Sequence, residues 1–108
     1  MSKKELIGES DQGSYGSPGS QFVERLAKVY RTRRGYELQL EHSWGSNQGY
    51  LQRNGDDSRR FRADSLDELL RIGIAESRGD ETFGDPKFAQ AIRDAIYEAE
   101  DAQDDAAE

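Results

Sequence analysis

The chain has 108 residues, with 22 acids against 15 bases, one histidine, no cysteine and an apolar fraction of 33%. These quantities bound it to one small domain and exclude disulfides, thiolate metal sites and cysteine nucleophiles. No run approaches the roughly 18 consecutive apolar residues of a membrane span. Met1-Ser2-Lys3-Lys4-Glu5 has no apolar core of a secretory signal, so a cytoplasmic location is expected.

Residues 8–20 are mostly Gly, Ser and Pro. Such a stretch buries too little apolar surface to offset its ordering entropy, and residues 1–19 read as a flexible arm. Order is expected from Ser20 onward, in a single domain over residues 20–97. Phe22, Val23, Leu26, Val29 and Tyr30 recur at helical spacing, with Glu24, Arg25, Lys28 and Arg31 opposite. The spacing predicts an amphipathic first helix stopped at Gly35.

Residues 36–44 alternate with period two. Tyr36, Leu38, Leu40, His42 and Trp44 share one face, and Glu37, Gln39, Glu41 and Ser43 share the other. This pattern predicts a strand with one buried face. A loop over 45–49 follows, then a short strand over 50–53. Asn54-Gly55-Asp56-Asp57 reads as a hairpin turn, and residues 58–63 as the returning strand. Ser65-Leu66-Asp67-Glu68 fits a capping box ahead of a second helix, with Leu66, Leu69, Leu70, Gly73 and Ile74 on its inner stripe. Asp85-Pro86 opens a third helix lined by Phe88, Ala91, Ile92, Ala95, Ile96 and Ala99. Residues 98–108 read as a fraying acidic tail. The expected fold is α+β: a three-stranded antiparallel sheet with helices packed on one face, in the order α-β-β-β-α-α.

That helix-strand-strand-strand-helix order is similar to a double-stranded-RNA-binding domain. The resemblance implies a cationic start to the helix after the sheet. Here that start is Asp64-Ser65-Leu66-Asp67-Glu68, which repels phosphate.

Charge is unevenly distributed. Residues 21–71 balance to +2 and residues 72–108 to -8. The C-terminal carboxylates therefore suit either a solvated tail or a surface that engages a basic partner. Arginine outnumbers lysine by 11 to 4, and its planar fork suits bidentate contacts with phosphate or carboxylate. Arg31, Arg33 and Arg34 near Gly35, and Arg59, Arg60 and Arg62 on the last strand, define an alternative nucleic-acid-binding face.

Catalytic chemistry has little to draw on. His42 is the sole histidine, and a general base needs an orienting partner and a nucleophile within reach. Zinc lacks ligands, no twelve-residue calcium loop is present, and no cofactor or metal is expected. The leading expectation is a non-enzymatic protein-binding module, an acidic inhibitor or adaptor. It would use Glu98, Glu100, Asp101, Asp104 and Asp105 against a basic protein surface, with Trp44 as an aromatic anchor. Small acidic inhibitors of phages and mobile elements, anti-CRISPR proteins among them, are similar in size and charge. A nucleic-acid-binding domain is the alternative, and no membrane partner is expected. A second copy of the chain is a further candidate partner, through an exposed strand such as residues 36–44.

Overall fold

A computed structural model describes residues 4–14, 19–79 and 86–107. It contains β1 (Glu5–Ser14), β2 (Gln21–Thr32), β3 (Gly35–Asn47), β4 (Leu51–Ala63), α1 (Leu66–Glu76) and α2 (Pro86–Ala107). The strands form one antiparallel sheet in the order β1-β2-β3-β4. The class is α+β, with both helices on one sheet face. The expected order is corrected to β-β-β-β-α-α: among the described residues there are four strands, and no helix precedes them.

The largest correction is β2. Residues 21–32 pair along their whole length with β3, from Gln21 opposite Ser46 to Thr32 opposite Gly35. Their apolar residues fit both periods, because Phe22 and Val23, Leu26 and Ala27, and Val29 and Tyr30 are adjacent doublets. Each doublet puts one member on each sheet face. Ala27 and Val29 are fully buried beneath the helices, and Phe22 is buried on the other face. A long strand partner overrides a moderate helical pattern.

Residues 5–14, expected in an arm, form β1 along β2. Gly8 explains how so polar a strand is held. A Cβ there would lie 2.1 Å from the Ala95 carbonyl oxygen of α2, so only glycine admits the helix. Ala91, Ala95 and Ala99 keep that side of α2 thin, and Ile7 at the adjoining bulge enters the core.

The expected turn at Asn54-Gly55 is also corrected. β4 runs through it unbroken, and Trp44 pairs with Gly55 while Gly45 pairs with Arg53. Asn54 is thus the extra residue of a β-bulge. The turn lies earlier: Asn47 Oδ1 accepts from the Gly49 N–H at 3.2 Å, and Gly49 has φ +88°. Gly55 serves a different need, since a Cβ there would stand 2.4 Å from the Trp44 ring.

β3, α1 and α2 match expectation more closely. Leu38 and Leu40 are fully buried, and Ser65 Oγ accepts from the Glu68 N–H at 3.2 Å. Gly73 of α1 faces Ile92 and Leu38 across the core, and Leu69 is fully buried in the same cluster. Burial of Phe88, Leu38, Leu40 and Leu69 contributes about 1.5–3 kcal/mol each. The acidic end differs from the expected tail, because α2 continues to Ala107 and Ala99 is fully buried. Strand β3 lies inside the sheet, so residues 36–44 offer no free edge; β1 and β4 are the edges.

Candidate protein-binding surface and arginine-lined groove

Helix α2 buries one stripe and presents the opposite one to solvent. Asp94, Tyr97, Glu98 and Asp101 are exposed at helical spacing, and Tyr97 is 50% accessible. Glu100 is half-buried, and Asp104 and Asp105 lie on the last turns of the helix. Gln90 Nε2 donates to Asp94 Oδ1 at 2.9 Å. All of these carboxylates but Asp94 occupy the C-terminal half of α2, and the last turn has no basic residue. Asp94 and Glu98, Glu98 and Asp101, and Asp101 and Asp105 stand four, three and four residues apart, and like charges at these helical spacings repel by about 0.2–0.5 kcal/mol per pair. Acids at these spacings work against the helix that carries them.

Trp44 does not join this surface. It sits on β3 over Gly55, 40% exposed, with its ring centroid 5.1 Å from that of His42. Arg25, His42 and Asp57 share one register row across β2, β3 and β4. Burial, with Arg25 adding to it, holds the His42 pKa below its ordinary value, and Asp57 partly opposes this.

The arginines do not form one face. Arg59 points to the helix side and pairs with Glu76 at 2.6 Å, whereas Arg60 and Arg62 lie on the opposite side. Arg31 is paired with Glu5 at 2.8 Å. Arg33 and Arg34 are exposed at the β2–β3 turn. Four of the six expected residues, Arg33, Arg34, Arg60 and Arg62, nevertheless line one surface groove of about 850 Å³, joined by Lys4. Glu37 forms its floor, only 3% exposed, held by Lys4 at 2.9 Å and Arg62 at 3.6 Å. Asp64 and Glu68 line the same groove. Elsewhere on this outer face Lys28 meets Glu41 at 3.0 Å, and that hydrogen bond holds the ammonium above its ordinary pKa.

Sequence reasoning missed Tyr97, Asp94 and Lys4. The first two were legible, because 94, 97, 98 and 101 fall opposite the Phe88–Ile92–Ile96 stripe. Lys4 lay in a segment read as an arm, and nothing local announced its pairing with Glu37, 33 residues away. Comparison with known protein families, curated proteins and solved structures finds no match. Among the described residues, no helix is long and apolar enough to cross a membrane.

Proposed function

We propose that the chain is a non-enzymatic protein-binding module, an acidic inhibitor or adaptor that engages a basic surface of its partner through the exposed face of α2. The observation that carries this reading is the placement of exposed Tyr97 among mutually repelling carboxylates on the solvent face of that helix. Acids that cost the helix stability are accounted for by use elsewhere, and a half-exposed aromatic ring among them supplies the apolar anchor of a binding patch. Long-range attraction from the carboxylates speeds encounter with a basic partner.

Truncation after Tyr97 is a poor test, since it removes the buried Ala99. Substitution on the surface is the sharper one. Nuclease-treated affinity capture with the full chain is expected to recover a protein partner whose affinity falls with salt. Glu98→Lys with Asp101→Lys, and separately Tyr97→Ala, each weaken that affinity by at least about tenfold. Unchanged affinity in both variants refutes the proposal.

The groove favours a second reading, binding of a nucleic-acid backbone, because Lys4, Arg33, Arg34, Arg60 and Arg62 converge on it. Arg33→Ala with Arg34→Ala would then weaken duplex binding and lower the salt slope by about two. No duplex binding at low salt rejects this reading.

A further inference from the structure

Strand β4 is a free edge of the sheet, with most of its residues exposed. Its centre reads Asp56-Asp57-Ser58-Arg59-Arg60. This is a charge palindrome: two acids, a neutral pivot, two bases. From these features we infer that β4 pairs with β4 of a second copy, antiparallel about a two-fold axis through Ser58.

The register is dictated by the pivot. Pairing Ser58 with Ser58 sets Asp57 opposite Arg59 of the second copy and Asp56 opposite Arg60, and each pair occurs twice. Directly opposite residues share a face. Asp57 and Arg59 both lie on the helix side, and Asp56 and Arg60 both on the outer side. A shift by two residues in either direction brings like charges into opposition, so this register is selected against its neighbours.

Three further observations agree. First, Asp56 and Arg60 have no ion pair among the described residues, whereas Lys4, Lys28, Arg53 and Arg62 on the same outer face each meet a carboxylate. Second, the Ser58 N–H is met by Oδ1 of its own neighbour Asp57 at 3.0 Å. This edge donor is satisfied locally in the single chain and is available for a ladder bond once Asp57 turns to an arginine. Third, the same register sets Gly55 opposite Phe61 of the second copy. Gly55 carries the exposed ring of Trp44, so pairing covers an aromatic group the single chain leaves open.

The helices leave room. α1 follows β4 directly, and its last residue reaches back to Arg59, so it lies along residues 59–63 of its strand. Those residues of the second copy oppose 53–57. The two copies of α1 are therefore displaced along the sheet, both on the same face, and the bulge at Asn54 bounds the regular window to residues 55–61. Arg59 keeps Glu76, because a guanidinium has five N–H donors and serves two carboxylates.

Sedimentation of the full chain at low ionic strength, up to about 100 µM, tests this. The wild type is expected to show a monomer–dimer equilibrium. Asp56→Arg alone and Arg60→Asp alone each weaken dimerisation by at least about tenfold. Mixing these two variants restores it, because every outer pair is then opposite in charge, and so does combining both substitutions in one chain. Ser58→Pro removes the edge donor and abolishes dimerisation while circular dichroism shows the fold retained. A wild type that stays monomeric over this range overturns the inference. So does a dimer that survives both single charge reversals, or a mixture of them that stays monomeric.

Discussion

Gly55 shows how much a single side chain decides in this sheet. Asn-Gly is a strong hairpin signal because both residues tolerate positive φ. Among the described residues the positive-φ glycines are Gly19, Gly35 and Gly49, and Gly55 is not one of them. What Gly55 provides is space, with the Trp44 ring lying against its Cα. Local sequence could not distinguish a glycine kept for its backbone from one kept for a neighbour's ring. Gly55→Val is therefore expected to displace Trp44 and cost about 1–3 kcal/mol, read as a red-shifted tryptophan emission and a lower Tm. Gly8→Ala costs a similar amount by driving a methyl group into the Ala95 carbonyl.

His42 supplies a pH prediction at the same scale. Burial and Arg25 lower its folded-state pKa beneath the ordinary 6.5. As pH falls through 6.5 and then through the lowered folded value, the unfolded chain takes up the proton first, so stability is lost. The His42→Gln variant lacks this component. Its Tm difference from wild type should change between about pH 7 and pH 5 and stay level above pH 7. A constant difference across that range contradicts the assignment.

At the scale of elements, legibility followed the environment of each segment. α1 was legible because a capping signature and one apolar stripe are local signals, and the Ser65 half of the box forms, its Oγ accepting from the Glu68 N–H, while the Glu68 carboxylate accepts from Arg71. β3 was legible because only one of its faces carries large apolar residues. β2 was not, because its apolar doublets put one residue on each sheet face and imitate helical spacing. β1 was not, because its place depends on Gly8 meeting Ala95 of a helix nearly ninety residues away. α2 was legible as a helix but not in its extent. Loss of large apolar residues after Tyr97 suggested fraying, whereas Ala99 is fully buried and Ala102 packs against the core.

The same helix makes an opposite-sign prediction. Glu98→Lys with Asp101→Lys turns the like-charge pairs 94/98 and 101/105 into opposite-charge pairs, so it should stabilise the fold by about 0.5–2 kcal/mol while weakening partner binding. A structural role for these acids predicts lower Tm in that variant.

For the molecule as a whole, charge was legible in amount and only partly in place. The acidic third did become a carboxylate-bearing helix, but the arginines were divided by the pleat: alternation sends Arg59 toward α1 and Arg60 away from it. A run of like residues on a strand is two half-runs on two faces, and the groove at the β2–β3 turn gathers only those from one side. The long axis of 49 Å reflects strands of up to 13 residues that outrun the 11-residue α1. The sheet end bearing Trp44 and the β4 edge thus stay open to association, while α2 presents its acids on a separate surface.

The proposed binding of a basic protein partner by the exposed face of α2 turns on Glu98 and Asp101. The most direct measurement is quantitative affinity capture after nuclease treatment, comparing the wild type with Glu98→Lys/Asp101→Lys, with Tm measured for both. A protein partner is expected to be retained by the wild type and lost from the variant, and the variant to melt no lower. An identical set of captured proteins, or a loss of capture that accompanies a fall in Tm, would contradict it.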